Sequence, residues 1–405
     1  MRVSDVMRWF GYERRGIRTP GFNSVADLLG VEATAAGVTV TPRRALAVPA
    51  VYASLSVLAG DVAKTPIKLR RRVADDTFTD ALDHGLWEIL HDLPNAETTA
   101  YSLKHQMMLD LLAHEKAYAE IIRADGQVVA LWRLDPERMH VDRDAARRKR
   151  WRYTDDEGKA HEWIFEPSKP PIFELVHPSP LQRCKDLIAT AIALQRYTST
   201  FFARGGRPTG LLESDVDIDE DQKKDIRESF TKWHEGVDNH HSIAVLEHGL
   251  KYKPLATAND KAQLVELLQS IRVEIAAAFR LAPWKVGDVS KMTFSNMEAA
   301  TIDHATGTLD PYFTLWEHAI RRDLLTNRQY GRYDVTFDRA SLIRSDMQTL
   351  HAALALGRQN GIYSTNDARR KLGENPIPAD QGGDRYLVNG NMTPIAEAGG
   401  DADPT

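Results

Sequence analysis

The chain has 405 residues, of which 42% are hydrophobic and 27% charged, and a formal net charge of −5. This length supports two or three cores, and the composition excludes a fibrous or wholly disordered chain. The acidic balance argues against a simple nucleic-acid binder, and a single cysteine, Cys184, excludes an intrachain disulfide framework or a Cys-cluster zinc site.

Residues 1–40 show no sustained period and read as an arm with room for one short helix. Arg2, Arg8, Arg14 and Arg15 lie near its start without the apolar core of a signal peptide. A helix opens at Thr41-Pro42, with Val48, Val51, Tyr52, Leu55, Leu58 and Val62 on one face. Its apolar run, Ala45 to Gly60, contains Pro49, Ser54 and Ser56 and ends at Asp61, too short and too broken to span a bilayer. Lys64-Thr65-Pro66 breaks the helix, and Ile67 and Leu69 alternate as in a strand. A further helix covers Ala100 to His114. Tyr118–Arg123 and Val128–Leu134 flank Asp125-Gly126, a hairpin signal because that turn needs positive φ. Trp151, Tyr153, Trp163 and Phe165 suggest a second hairpin around Asp156-Glu157-Gly158.

Between these hairpins, Arg143 to Arg152 holds six cations in ten residues, among them Arg147, Arg148, Lys149 and Arg150. The run is compatible with phosphate contact through counterion release, with a surface that pairs subunits, and with a solvated turn.

From Leu181 to Arg204 a helix carries Ile188, Ile192, Leu194, Tyr197 and Phe201, and Gly205-Gly206 ends it. Another begins after Asn259, with Leu264, Leu268, Ile271, Ile275 and Phe279 on one face, and stops at Pro283. Each would run ~33 to 36 Å, lengths that suit an antiparallel pair. The excursion between them reads as a strand over 210–213, a helix from Asp219 to Trp233, and strands Ile243–Glu247 and Leu250–Leu255. Residues 205–257 hold 7 Lys and Arg against 11 Asp and Glu. Asp215, Asp217, Asp219, Glu220 and Asp221 make an acidic run, part of which complements the positive end of a helix dipole. Beyond the loop Leu281–Thr293, Ser295 and Glu298 have capping-box spacing. The helix they open runs through Met297, Ile302, Ala305, Leu309, Phe313, Trp316, Ile320 and Leu324, kinked at Asp310-Pro311. Tyr333, Val335 and Phe337 then alternate as a strand.

No nucleophile elbow and no phosphate-cradling glycine loop is found; Gly205-Gly206 follows a helix, the wrong context for one. His234, His240, His241 and His248 match no zinc spacing. Asp155-Asp156-Glu157 fits a hairpin tip better than an acid–base pair. No enzymatic activity, metal or cofactor is expected.

Four segments together carry a resemblance: Arg280–Gly287 (R-L-A-P-W-K-V-G), Ser295–Glu298 (S-N-M-E), Thr308–Tyr312 (T-L-D-P-Y) and Trp316–Leu325 (W-E-H-A-I-R-R-D-L-L). In this order they resemble the portal proteins of tailed bacteriophages, in the branch of long-tailed phages and gene transfer agents. Val51–Ala59 with Pro66–Leu69, Leu93-Pro94-Asn95, Leu342–Asp346, Thr365–Arg369, Asn375-Pro376 and Gly382-Gly383-Asp384 extend the likeness over roughly residues 40 to 395. Two places depart from the family pattern. Glu115-Lys116-Ala117-Tyr118 replaces its Gly-Asn-Ala-Tyr, and His177 and Ser179-Pro180-Leu181 adjoin, so a wing loop is shortened.

The resemblance implies an α+β portal fold. Its parts would be an N-terminal arm (1–40), an α/β wing (41–180), stem helices (181–204 and 258–282) around a small α/β clip (205–257), and a tunnel loop (283–294). A kinked helix with the wing return (295–340), a helical crown (341–395) and a disordered tail (396–405) would follow. It implies a dodecameric ring at one capsid vertex, assembled in the host cytoplasm and carried in the virion. Expected partners are the major capsid protein, the terminase large subunit, the head–tail adaptor and double-stranded DNA passing through the channel, with no membrane. Trp284, Lys285, Val286, Gly287, Asp288, Val289 and Lys291 would form the tunnel loop. Asp215, Asp217, Asp219, Glu220 and Asp221 would belong to the clip docking surface. Two other readings stay open: a DNA-binding structural module without ring formation, and a hydrolase, which would need a convergent polar pocket that the sequence does not display.

Overall fold

Prolines and short polar side chains set where the helices of this chain begin. The computed structural model describes residues 34–74, 77–203, 210–214, 219–234, 250–254, 260–288, 300–326, 329–342 and 347–388. Thr41 caps α1 (Pro42–Ala45) by accepting from the Arg44 N–H at 3.3 Å, and Pro49 starts α2 (Pro49–Lys64). The single helix expected from Thr41 is thus two pieces, because a proline fits the first turn of a helix and not its interior. There follow β1 (Ile67–Ala74), β2 (Thr77–Asp80), α3 (Gly85–His91), α4 (Ala100–His114), β3 (Lys116–Ala124) and β4 (Gln127–Leu134). Next come β5 (Met139–Arg143), β6 (Lys149–Thr154), β7 (Ala160–Ile164) and β8 (Ile172–Val176). Then come α5 (Pro180–Arg183), α6 (Lys185–Ala203), β9 (Gly210–Ser214), α7 (Glu220–His234), β10 (Leu250–Pro254) and α8 (Asp260–Ala278). A π-turn, His304–Leu309, leads into α9 (Asp310–Asp323). The described chain closes with β11 (Tyr333–Phe337), α10 (Met347–Gln359), β12 (Asn360–Ser364), α11 (Thr365–Leu372) and β13 (Tyr386–Val388).

The chain divides into two compact units, one of residues 1–57, 109–116 and 176–289, the other of 58–108, 117–175 and 290–405. In the first, α6 and α8 pack together, burying Ile188, Ala189 and Ile192 with Ile271, Ile275 and Ala276. Each has 19 residues, about 28 Å, shorter than expected. Cys184 leaves helical geometry and separates α5 from α6, and Arg280 turns the chain after α8 with φ 57°. Ser179 accepts from the Gln182 N–H and donates its hydroxyl to Leu112 O, so α5 is capped and tied to the end of α4 at once. β9 and β10 pair antiparallel, Gly210 opposite Pro254. The strand read at Ile243–Glu247 and the Gly205-Gly206 stop lie outside the described residues.

In the second unit Ile67 and Leu69 of β1 face Phe337 and Val335 of β11, all four buried, in the sheet order β11-β1-β2. The β3–β4 hairpin turns through Asp125 and Gly126, both at positive φ, as that dipeptide requires. β8 completes the order β4-β3-β8. The second expected hairpin gains a third strand, giving β5-β6-β7. Its apolar side chains Met139, Val141, Tyr153, Trp163 and Phe165 pack on a core of Tyr118, Leu134, Trp151 and Ile172. The region read as short crown helices also contains a two-stranded sheet, β12 with β13.

Helix α9 buries Phe313, Trp316 and Ile320. Phe313 stacks on Phe337 at 4.5 Å, and the Trp316 indole donates to Met108 Sδ at 3.2 Å. Pro311 cannot supply the N–H that an α-helix asks of it, and its ring would strike the carbonyl of Gly307. The helix meets this by widening into the π-turn rather than by breaking. That turn carries His304 inward, where its Nε2 lies 2.7 Å from Asp61 Oδ2. The capping box read at Ser295–Glu298 lies outside the described residues.

Two acidic side chains of α9 are fixed by partners. Glu317 accepts from the Phe337 N–H at 2.8 Å and from Arg339 at 2.6 Å. Asp323, 2% exposed, takes Arg322 at 2.6 Å and the Glu174 N–H at 3.2 Å. Arg322 also donates to Glu174 O, and Arg123 donates to Asp323 O at 2.7 Å. Burial pushes the Asp323 carboxyl above the usual range, against the pull of Arg322.

Lys104, 7% exposed, donates to Thr65 O at 3.1 Å. Burial lowers its ammonium from 10.5 to about 8. Between those values the unfolded chain holds a proton that the folded chain has released. Its contribution is therefore full above pH 10.5 and lost as pH falls through about 8. Urea unfolding of the native chain and of Lys104→Met across this window should show the native chain gaining about 3 kcal/mol relative to the variant. Parallel pH profiles for the two would refute the assignment.

Candidate functional site

The turn after α8 is built by its own punctuation. Leu281, buried, returns its N–H to Ala276 O at 2.8 Å, and Pro283 then opens a 3-10 turn, Pro283–Val286. Gly287 closes it at φ 91°, with its N–H on Trp284 O at 3.1 Å, and the Asp288 N–H reaches Pro283 O at 3.0 Å. The turn packs on α8. Val286 is buried, Trp284 and Lys285 are half-buried, and Gln269 of α8 donates to Asp288 at 3.4 Å. Lys285 Nζ stands 4.9 Å from the centre of the Trp284 ring, where the ring's negative face attracts a cation. Five of the seven expected tunnel-loop residues are thus gathered in one turn; Val289 and Lys291 lie outside the described residues.

The acidic run is partly explained by helix α7. Asp219 accepts from the Gln222 N–H at 2.8 Å, and Gln222 returns its side-chain oxygen to the Asp219 N–H at 3.3 Å, a reciprocal capping box. Glu220 and Asp221 occupy the first turn, where negative charge complements the helix dipole, and Glu220 pairs with Lys223 at 2.8 Å. All three acids are exposed. Asp215 and Asp217 lie outside the described residues.

The basic run covers the end of β5, the loop and most of β6 in the β5–β6 hairpin, and most of its charge is met within the fold. Asp142 takes Arg150 through two bonds, at 2.8 and 3.0 Å, and Arg152 at 2.6 Å. Arg150 holds the Asp142 carboxyl below its ordinary value. Asp144 accepts from Arg148 at 2.8 Å. Lys149 pairs with Glu174 of β8 and lies 5.1 Å over the Trp151 ring. Arg143 donates to Arg147 O at 2.8 Å, and Arg147 holds the loop at φ 62°. Beside this hairpin is a cavity of about 340 Å³, lined by Arg143, Arg147, Lys149, Trp151, Phe165 and Arg322 among others. Charge counting found the cations; it missed Glu174, which lies on another strand, and the Arg322–Asp323 wall. Asp142 and Asp144, adjacent in sequence, were the available signal that the cluster is paired.

Among the described residues no three His, Cys, Asp or Glu side chains converge as metal ligands; His240, His241 and His248 lie outside them.

The family model for phage portal proteins matches residues 49–373. The probable portal protein of Streptomyces phage phiC31 is 29% identical over 381 residues, covering 90% of this chain and 82% of its own length. The portal protein of Enterobacteria phage HK97 is 25% identical over 374 residues, covering 90% of this chain and 87% of its own. A chain in the solved neck of a native gene transfer agent particle, computed with C12 symmetry, shares the fold. It has a TM-score of 0.53 and 19% identity, over 87% of this chain and 100% of that one.

Gly287 has open space where a Cβ would stand, so Gly287→Ala tests backbone strain alone. An alanine at positive φ costs about 1–2 kcal/mol. Denaturant unfolding should show that loss with an unchanged slope; an equal or higher midpoint would show that the turn does not require the left-handed conformation.

Proposed function

The chain belongs to the phage portal protein family, and on that premise we propose that it assembles as a closed ring of twelve copies at one vertex of a capsid. The ring conducts double-stranded DNA during packaging and ejection, and it docks the terminase large subunit and later the head–tail adaptor. It contacts the major capsid protein, is built in the host cytoplasm and leaves in the virion. The observation that carries this reading is the match across residues 49–373, with relatives named as portal proteins over 90% of the chain. The C12 symmetry of the neck particle supports the subunit count. Tyr52, Val265 and Ile302, large apolar side chains on helices yet 60%, 65% and 42% exposed, support contact with further copies. Contacts between unlike surfaces that close on themselves produce rings. Among the described residues no helix is long and apolar enough to cross a membrane.

The segment Trp284–Thr293 serves as the tunnel loop of this reading. Each phosphate neutralised by a cation adds salt-dependent affinity, and a ring multiplies that by its copy number. A channel that must release DNA therefore limits free cations at its constriction. Lys285 and Lys291 against Asp288 leave a balance of only +1, and the Lys285 charge lies over an indole. The acidic excursion 205–257 serves as the clip, where partners that exchange favour polar, reversible contacts.

Two measurements test the assembly and its surfaces. Light scattering after size exclusion should give a mass of about twelve chains, and end-on negatively stained views should have twelvefold symmetry. A monomer at high concentration across a range of salt, binding free duplex strongly at low salt, would favour the DNA-binding module instead. In a packaging assay, rings with Val286–Val289 replaced by a Gly-Ser linker should form but lose or shorten packaged DNA. Rings carrying Asp217→Lys, Asp219→Lys and Asp221→Lys should form but recruit motor or adaptor weakly. Normal packaging by either variant removes the corresponding assignment.

A further inference from the structure

Of the six cations on the β5–β6 hairpin, Arg143 and Arg147 have no carboxylate partner among the described residues, and both are exposed at the rim of the 340 Å³ cavity. The carboxylates of the cavity wall, Glu174 and Asp323, are already taken by Lys149 and Arg322. Trp151, Phe165 and Ile172 supply apolar lining. The Trp151 indole N–H is buried and finds no acceptor among the described residues. An occupant must therefore bring negative charge and an apolar side chain together. A duplex backbone meets only the first demand, since phosphate contacts gain nothing from an apolar lining. A peptide with an aliphatic residue near carboxylates meets both.

The sequence of this chain contains such a segment. Residues 389–405 carry Glu397, Asp401 and Asp403, no Lys or Arg, and the apolar Met392 and Ile395. Fully extended they span roughly 55 Å. We propose that the Arg143–Arg147 cavity receives residues 389–405, from the same or a neighbouring copy, with Ile395 against the apolar lining and the carboxylates on the two arginines. Because these ion pairs are exposed, the docked state is weakened by salt.

The test uses the full-length chain with Ile395 replaced by the photo-crosslinking residue p-benzoylphenylalanine, irradiated and mapped by mass spectrometry. Adducts should fall on residues 143–151 and on Phe165. Their yield should drop about fivefold in Arg143→Ala/Arg147→Ala and in Glu397→Gln/Asp401→Asn/Asp403→Asn, with thermal midpoints unchanged. Mixing isotope-labelled and unlabelled chains distinguishes docking within a copy from docking between copies. Adducts elsewhere, or yields indifferent to both variants, overturn the proposal. So does a short duplex DNA that suppresses the adduct and loses its own binding in the arginine variant but not in the tail variant; that result assigns the cavity to nucleic acid.

Discussion

A carboxylate buried as deeply as Asp323 has few ways to exist, and the second unit is arranged to provide one. An isolated charge there would be expelled or neutralised, so partners must arrive from several elements at once. Arg322 supplies the counter-charge, and the Glu174 N–H donates from β8. Arg123 of β3 holds the backbone carbonyl of the same residue. Two turns earlier, Glu317 does the same for β11 through the Phe337 N–H. A single helix, α9, thereby specifies where strands of two sheets must lie. Apolar contact brings them together; these directional bonds choose the register.

The same logic explains which parts of the fold could be read from residues alone. Helix α4 and the Asp125-Gly126 hairpin were legible because periodicity and turn chemistry are local. The start of α2 at Pro49 was equally local, yet a continuous apolar run masked it. Strand β5 was missed because its inward residues, Met139 and Val141, are too few to establish alternation before the charged loop intervenes. The π-turn has no sequence signature beyond Pro311, which signals a disturbance and not its form. The basic run was visible as charge, but the partner of Lys149, Glu174, lies twenty-five positions away on another strand. The tunnel-loop and clip assignments rest on family resemblance alone, since no chemistry in those residues is distinctive.

Several cations of the described residues are met within the fold. Lys285 lies over Trp284, Lys149 over Trp151, and Arg150 and Arg152 share Asp142. On the proposed channel reading, such pairing suits passage of DNA better than retention. Affinity for a polyanion grows with every unpaired cation and falls as each is paired.

The widened turn at His304–Leu309 has a geometric corollary. A π-turn holds one residue more than the α-helical path it replaces. Removing that residue would turn everything before it by about 100° and draw it in by about 1.5 Å relative to α9. His304 would then leave Asp61, and the chain arriving from residue 300 would present a different face. Helical phase is thus stored in a single extra residue. Related chains that lack it must either aim the preceding segment elsewhere or recover the angle by other means.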